Sequence, residues 1–198
     1  MKASLFQALT IVDMVVYIKE NKPGLRRIKD IKRAYAFTSI GTDIRKTSLA
    51  IFMSEMLLNV CTRQQTGAEF YDFVVSSVKA LEDNKQTLNA YHIVFLLELS
   101  GLLGFAPTRN FSQTHCFFNL REGVYQTHFE DASYSLSKEE SLVFFNASSM
   151  SIRKDETKLN VSSQMRKALL QKTIDYYRIH LDGFREVKSH QVLEMVLN

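Results

Sequence analysis

Seven lysine and arginine residues crowd into positions 17–35, where the sequence contains only two acidic residues and has a tyrosine at each end. Ammonium and guanidinium groups neutralise phosphates and release their counterions, and aromatic rings stack on unpaired bases. With a net charge of +5 this segment exceeds the +4 of the whole chain, so the other residues together carry −1. The pattern favours a nucleic-acid contact surface, and the alternative is a solvated strand edge whose lysines prevent aggregation. The predicted contact residues are Lys19, Lys22, Arg26, Arg27, Lys29, Lys32 and Arg33, followed by Arg45 and Lys46.

A second and weaker basic patch lies near the C-terminus, at Arg178, His180, Arg185 and Lys188. A sequence pI near 9.0 permits a polyanionic partner for either patch but does not establish one. The segment at 17–35 is therefore the leading candidate.

Metal-binding and nucleophilic patterns are weak in this sequence. His115, Cys116 and His128 cluster, but adjacent residues on a strand point to opposite faces and cannot easily share one ion. We expect no metal site and no cofactor, and we expect Cys61 to be a core thiol. His92 and Glu98 are six residues apart on one apolar segment, which is not a same-face spacing for an acid–base pair. With no GxSxG, P-loop or GxGxxG pattern, the sequence does not predict an enzyme.

The composition is that of a globular chain with 45% hydrophobic and 23% charged residues. Only seven glycines and two prolines leave little material for a loop-rich all-β fold. Two cysteines that are 55 residues apart do not form a disulfide framework, which favours a reducing cytoplasm. No apolar run is long enough to span a bilayer, so we expect no membrane association.

The basic segment is predicted to lie on β-structure. Residues 9–19 are rich in Ile, Val and Tyr and predict a buried strand, which a turn at 21–24 follows. In the next stretch the apolar residues recur every three positions from Leu25 to Ala34. That spacing favours a strand with a bulge, with a short amphipathic helix as the competitor.

From about residue 40 the apolar spacing becomes helical. A polar or glycine residue that can begin a helix precedes most of these segments, and Ser137 to Glu140 match a capping box. Residues 88–105 are apolar almost all round, which predicts a central helix closed by Gly104. Phe117-Phe118 and Val124-Tyr125 flank a turn with glycine, which predicts a hairpin. The predicted helices cover 44–63, 68–84, 88–105, 137–147, 160–182 and 189–197.

The order of these features resembles the bacterial RecO family of recombination mediators along essentially the whole chain. The stretches that carry the resemblance are SLFQALTIVDMVVYIKENKPGLRRIKDIKRAY, LLELSGLLGFAP, FFNLREGVY and YYRIHLDGFREVKS. The first is similar to the late strands of the family's OB-type barrel, whose earlier strands precede the position that matches Met1 in family members. The resemblance therefore implies an α+β fold, with a partial OB-type barrel at 1–40 and a mainly α-helical bundle at 41–198 that contains a hairpin insert near 109–130. Many members carry CxxC…CxxC zinc ligands in that insert, where this chain retains only Cys116.

The resemblance implies a function in DNA repair in which the protein binds its partners but does not catalyse a covalent reaction. RecO-like proteins bind single- and double-stranded DNA, anneal complementary strands, and engage the acidic C-terminal tail of the single-stranded DNA-binding protein. With their partner RecR they help load recombinase, in the bacterial cytoplasm at the nucleoid. The alternative hypothesis is a helical protein-interaction module without DNA affinity, because the barrel would be incomplete.

Overall fold

The computed structural model describes residues 3–18, 24–62, 67–85, 88–154 and 157–197. Within these ranges the chain forms two small antiparallel sheets and six α-helices, with short 3₁₀ turns at Ala3–Phe6 and Ile152–Lys154. The strands are β1 (Val12–Val16), β2 (Ile28–Arg33), β3 (Phe117–Asn119) and β4 (Val124–Gln126). The helices are α1 (Ile44–Cys61), α2 (Ala68–Asp83), α3 (Tyr91–Leu102), α4 (Lys138–Ser148), α5 (Ser163–His180) and α6 (Ser189–Val196).

Strands β1 and β2 pair in antiparallel register, from Val12 opposite Arg33 to Val16 opposite Ile28. The register shifts between Val15 and Val16, where β2 advances two residues for one on β1 and leaves Lys29 as the extra residue. The strand-with-bulge prediction for this stretch is thus confirmed over the helical alternative. The predicted burial of β1 is wrong, since four of its five residues are exposed. We call residues 12–18 and 24–33 the basic ribbon.

The described strands at the N-terminal end form this two-stranded sheet and not a closed barrel. The predicted mixture of helix and sheet is confirmed, but the partial OB-type barrel is not. Among the described residues no helix is both long and apolar enough to cross a membrane.

Local capping signals begin α1 and α4 where the sequence predicts them. The side chain of Asp43 accepts a hydrogen bond from the N–H of Arg45 at the start of α1, and Ser137 forms a complete capping box with Glu140. The predicted starts of α3 and α5 are each three residues too early, since α3 begins at Tyr91 and α5 begins at Ser163 after its N-cap Ser162. Helix α6 begins at Ser189 as predicted, but its N-cap is Lys188, and the backbone N–H and hydroxyl of Ser189 donate to Glu55.

Helix α3 lies at the centre of the bundle and packs against α1, α4 and α5. It is buried on nearly every side, as its uniformly apolar sequence predicts. The ring of Phe95 on α3 stacks on the ring of Phe73 on α2, and the two ring centroids are 5.5 Å apart. The hydroxyl of Tyr177 on α5 donates to the Leu96 carbonyl at 2.7 Å, so this buried phenol keeps a partner.

The predicted hairpin with glycine at its turn is confirmed as β3–β4, and it supplies a second core. Phe118 packs against Tyr125, Phe144 and Tyr176 with ring centroids 4.8–5.6 Å apart, and we call these four rings the aromatic layer. The turn closes at Gly123, whose φ is +68° and whose position leaves a Cβ only 2.8 Å from the Tyr176 hydroxyl. Glycine adopts the positive φ without strain and has no Cβ to clash with the Tyr176 hydroxyl.

Candidate nucleic-acid interface

The described cations of the basic ribbon all face solvent. Arg26, Arg27, Lys29, Lys32 and Arg33 are exposed, and within this segment only Asp13 and Asp30 oppose them. Lys19 and Lys22, which the sequence also predicts as contacts, lie outside the described residues. The structure thus brings five of the nine predicted residues together on one exposed ribbon.

The β-bulge determines where one of these cations points. It places the ammonium of Lys29 6.0 Å from the ring centroid of Tyr17, which is itself 48% exposed. An ammonium beside an exposed ring is the combination that holds a phosphate next to a stacked base. Lys32 on the same ribbon pairs with Asp13 at 3.6 Å, and both side chains stay largely exposed. Water therefore screens this pair strongly.

The other side of the ribbon is apolar and mostly uncovered. Met14 pairs with Ile31 across the strands, and Val16 with Ile28. Met14 is 49% exposed and Val16 is 37% exposed, while Ile28 and Ile31 are half-buried. The ribbon is thus partly amphipathic. The apolar pairs lie on one side with Arg33 at its end, and Tyr17, Lys29 and Lys32 lie on the other side together with the exposed Val15.

A carboxylate of the bundle fixes the segment that connects the ribbon to α1. Glu82, at the end of α2, accepts hydrogen bonds from the backbone N–H groups of Thr38, Ser39 and Ile40 at 2.7–2.9 Å, and from the Thr38 hydroxyl at 2.8 Å. Burial raises the pKa of Glu82, but these donors outweigh burial and lower it to about 2. The segment between β2 and α1 therefore has a fixed position on the helices.

Lys46 belongs to this junction and not to the exposed surface. It is only 6% exposed, and its ammonium donates to the Ser39 hydroxyl at 2.9 Å and to the Glu82 carbonyl at 2.5 Å. A buried ammonium with these partners does not reach a phosphate, so the structure separates Lys46 from the predicted contact residues. Arg45 is exposed but binds Asp43 through its guanidinium at 2.8 Å, which lowers the pKa of that carboxyl and offsets the arginine's charge.

The tyrosine at the other end of the basic segment has a packing role. The half-buried Tyr35 ring lies 5.0 Å from that of Phe37, and the ammonium of Lys79 lies 5.1 Å from its centroid. Tyr17 is therefore the aromatic residue of the pair that is free to stack on a base.

The second predicted basic patch is largely committed to internal contacts. Arg178 pairs with Asp175 at 2.8 Å. His180 is half-buried, stacks on Phe105 at 5.3 Å, and has its Nε2 2.9 Å from the Leu120 carbonyl. Arg185 and Lys188 are exposed, but two exposed cations form a much weaker anion surface than the ribbon.

An open groove of about 430 Å³ on the bundle was not predicted from the sequence. Its floor includes Leu97, Pro107 and Met150, and the exposed cations Arg109 and Lys154 line it from two different segments. Glu98 also faces the groove, and burial raises the pKa of its carboxyl. Residues from three separate parts of the chain meet here, so no local pattern in the sequence could have revealed the groove.

The weaker metal candidates do not come together in the described part of the chain. Among the described residues no group of three His, Cys, Asp or Glu side chains lies close enough to hold a metal ion. His115 is exposed and Cys116 is buried, as expected for neighbours on opposite faces. Cys61 is exposed, so its prediction as a core thiol is wrong. His92 is buried on the central helix, its Nδ1 has no hydrogen-bond partner among the described residues, and burial lowers its pKa to about 3.

The family comparison and the comparison with individual proteins both find similarity to the same group of DNA repair proteins. The family described as "Recombination protein O C terminal" matches residues 41–190, which is more than half of the chain. The DNA repair protein RecO of Flavobacterium psychrophilum is 33% identical over 198 residues, covering 100% of this chain and 80% of that protein. The DNA repair protein RecO of Flavobacterium johnsoniae is 30% identical with the same coverage. No solved structure matches the chain significantly.

Proposed function

We propose that the basic ribbon of this chain, which belongs to the RecO family of DNA repair proteins, binds DNA. We also propose that the protein acts by binding and does not catalyse a reaction. In this role it holds single strands for annealing and helps recombinase loading together with RecR and the single-stranded DNA-binding protein. The observation that carries the proposal is the exposed ribbon, on which five cations accompany an accessible tyrosine. The family membership and the coarse role in DNA repair do not depend on this proposal.

The ribbon suits single strands because its cations and its ring act on different parts of a nucleotide. Arg26, Arg27, Lys29 and Lys32 neutralise phosphates, which reduces the repulsion between two strands that are to anneal. Tyr17, with Lys29 beside it, offers a stacking surface that does not select for sequence. Annealing needs this lack of sequence preference, since any complementary pair must be accepted.

The ribbon's amphipathic character supports its assignment to an OB-type barrel. Strands of such a barrel alternate between an apolar interior and a polar exterior. Met14, Val16 and Ile31 would face the interior, and Lys32 would face the nucleic acid. This assignment explains why β1 carries an apolar run even though four of its residues are exposed in the two-stranded sheet.

Fluorescence anisotropy with labelled single-stranded DNA over a salt series tests the proposal. In the test variant Arg26, Arg27, Lys29 and Lys32 are all replaced by alanine. Loss of four phosphate contacts is expected to reduce the slope of log K against log[salt] by about 3. The matched control replaces four exposed cations elsewhere, and its slope is expected to stay near that of the wild type. These control positions are Lys85, Lys138, Lys158 and Arg185.

The two variants together separate the outcomes. Both have the same net charge, so equal losses of affinity would mean that only total charge matters and that the ribbon is not the contact surface. Affinity that ignores salt, or survives the ribbon variant unchanged, would contradict the proposal. A wild-type chain that binds no DNA would favour the alternative, a protein-interaction module.

The groove on the bundle fits the acidic tail of the single-stranded DNA-binding protein. The resemblance to the RecO family implies that such a tail is held on the helical domain by a hydrophobic pocket with basic neighbours. Leu97, Pro107 and Met150 provide the floor, and Arg109 and Lys154 provide the cations. We therefore propose this groove as the tail site, separate from the DNA-binding ribbon.

Calorimetry with a synthetic acidic tail peptide tests the groove alone. Arg109→Ala combined with Lys154→Ala is expected to weaken peptide binding at least tenfold, since both charge-assisted contacts would be lost. Lys138→Ala combined with Lys158→Ala removes the same charge from positions outside the groove and is expected to bind like the wild type. If all variants bind the peptide equally, the tail site lies elsewhere.

A further inference from the structure

Helix α1 presents a regular row of large apolar side chains to solvent. Ile44, Ile51 and Leu58 follow one another at intervals of seven residues and are 65%, 50% and 61% exposed. Two turns of an α-helix take about seven residues, so the three side chains lie in one line along the helix. The opposite side of α1 forms part of the bundle core, so this row does not serve the fold of the chain itself.

Small side chains alternate with the large ones. Thr47, Ser54 and Cys61 each follow a large residue by three positions, and none of them is buried. Together the six positions make the three-and-four spacing of a coiled-coil surface, in which large residues can enter the spaces above small ones. We call these six residues the α1 seam.

The seam also lacks the charges that a solvated helix face normally carries. None of its six residues is charged, although 23% of the whole chain is. Arg45, an exposed cation in the first turn of the helix, is paired with Asp43. Helix α6 packs against α1 and also carries two exposed apolar residues, Val192 and Met195. A face of this kind is suited to burial in an interface.

We propose that the seam is a self-association surface, on which α1 of a second copy packs in antiparallel orientation. The proposal follows from the register. When the two helices run antiparallel about a two-fold axis, Ile51 lies opposite Ser54 of the second copy, Leu58 opposite Thr47, and Ile44 opposite Cys61. Each large side chain thus meets a small one, and no charged side chain of the seam has to be buried because all six are uncharged.

The expected dimer is concentration-dependent. Helix α1 has 18 residues and is about 27 Å long, so a single pair of such helices makes an interface at the small end of specific ones. The two-fold symmetry makes it a closed dimer, in which no seam is left free to recruit a third copy. The dimer does not depend on the proposed DNA-binding function, because the seam and the basic ribbon share no residue.

Disulfide cross-linking of Ile44→Cys tests both the contact and its direction. Residues 44 and 61 of one chain are about 25 Å apart along the helix, far beyond disulfide reach, so a bond between them must join two copies. In the antiparallel dimer the thiol introduced at position 44 of each copy faces Cys61 of the other copy. Partial burial raises the pKa of the Cys61 thiol, so the reaction is run at pH 8.5 with an oxidation catalyst.

The expected result is covalent dimer that forms at least tenfold faster with Ile44→Cys than with the wild type. The two native Cys61 thiols are also about 25 Å apart in this dimer and do not meet. Lys138→Cys, which adds an exposed thiol on α4, is the matched control and is expected to react like the wild type. Wild-type protein that cross-links through Cys61 as fast as Ile44→Cys would overturn the antiparallel arrangement.

Sedimentation under reducing conditions gives an independent measurement. Ile51→Asp places a charge at the centre of the seam and is expected to weaken dimerisation at least tenfold. Leu142→Asp, at an apolar residue of α4 that is 45% exposed, is the matched control and should leave the dimer intact. A wild type that stays monomeric at high micromolar concentration, or a dimer that both variants weaken equally, would refute the proposal.

Discussion

The basic ribbon and the aromatic layer differ in how their side chains are held. Phe118 of the layer is fully buried and touches three other rings, whereas Met14 of the ribbon is 49% exposed and faces one cross-strand partner. Packing therefore fixes the bundle, while the ribbon depends on its strand pairing and on the junction at Glu82. The comparison shows that this chain separates its stabilising residues from its most charged surface.

Truncation of one residue in each region tests this difference most strongly. Phe118→Ala is expected to lower the free energy of unfolding by about 3–5 kcal/mol, since it removes a large buried ring and leaves a cavity. Met14→Ala is expected to lower it by less than about 1 kcal/mol, because half of that side chain is already in water. Urea denaturation followed by circular dichroism measures both values. Similar losses for the two variants would mean that the ribbon is packed as tightly as the bundle.

Much of the bundle could be predicted because its signals are local. The Asp43 cap, the Ser137 capping box and the Gly123 turn each involve residues a few positions apart. The burial of β1 could not be predicted in the same way. The Val and Met residues of β1 indicate that one face of the strand is apolar. They do not indicate whether another part of the protein covers that face.

Long-range contacts account for the remaining differences in the candidate site. Lys46 is close in sequence to exposed Arg45, and only its bonds to Ser39 and the distant Glu82 show that it is internal. Cys61 follows apolar residues on α1 but lies on the outer face of that helix. Charge and composition identified the ribbon, but they could not distinguish its exposed cations from one that belongs to the junction.

The buried His92 is expected to make the stability of the bundle depend on pH, whereas the ribbon contains no histidine. Burial, with a smaller effect from Arg166, lowers the pKa of His92 to about 3 from its ordinary value of 6.5. The unfolded chain therefore binds a proton more readily, and stability is lost as the pH falls from about 6.5 toward 3. The resulting decrease in the free energy of unfolding is about 4 kcal/mol between pH 6.5 and pH 3.

His92→Leu should remove this dependence. Its free energy of unfolding is expected to change much less between pH 6.5 and pH 5 than that of the wild type, as measured by urea denaturation at each pH. His128→Leu, at an exposed histidine of the hairpin region, serves as the control and should follow the wild type. An unchanged slope in His92→Leu would show that other groups cause the acid sensitivity.

The junction at Glu82 is expected to respond at lower pH. The pKa of its carboxyl is lowered to about 2 from 4.5, so its stabilising effect is complete above pH 4.5 and is lost as the pH falls toward 2. Glu82→Gln places an amide donor where the carboxylate accepts from backbone N–H groups. We expect a loss of about 2 kcal/mol at pH 7 and a weaker pH dependence below 4.5.

Hydrogen exchange locates the effect of this variant. If Glu82 fastens the ribbon, Glu82→Gln should increase exchange at Thr38 to Ile40 and along β2 more than in α3. Glu139→Gln, which changes an exposed carboxylate on α4, provides the control. Uniformly faster exchange throughout the chain would mean that the junction supports the whole fold and not the ribbon in particular.

The smallest expected change in stability comes from Asp13, which opposes the ribbon's charge. Its pair with Lys32 is 3.6 Å long and largely exposed, so Asp13→Asn should alter the free energy of unfolding by less than about 1 kcal/mol. The same change releases Lys32 and removes a negative charge from the proposed contact surface, so affinity for single-stranded DNA should rise about two- to threefold at low salt. Asp175→Asn, which frees Arg178 on the bundle, is the matched control. If both variants raise affinity equally, net charge and not the ribbon governs DNA binding, because only Asp13 lies on the ribbon.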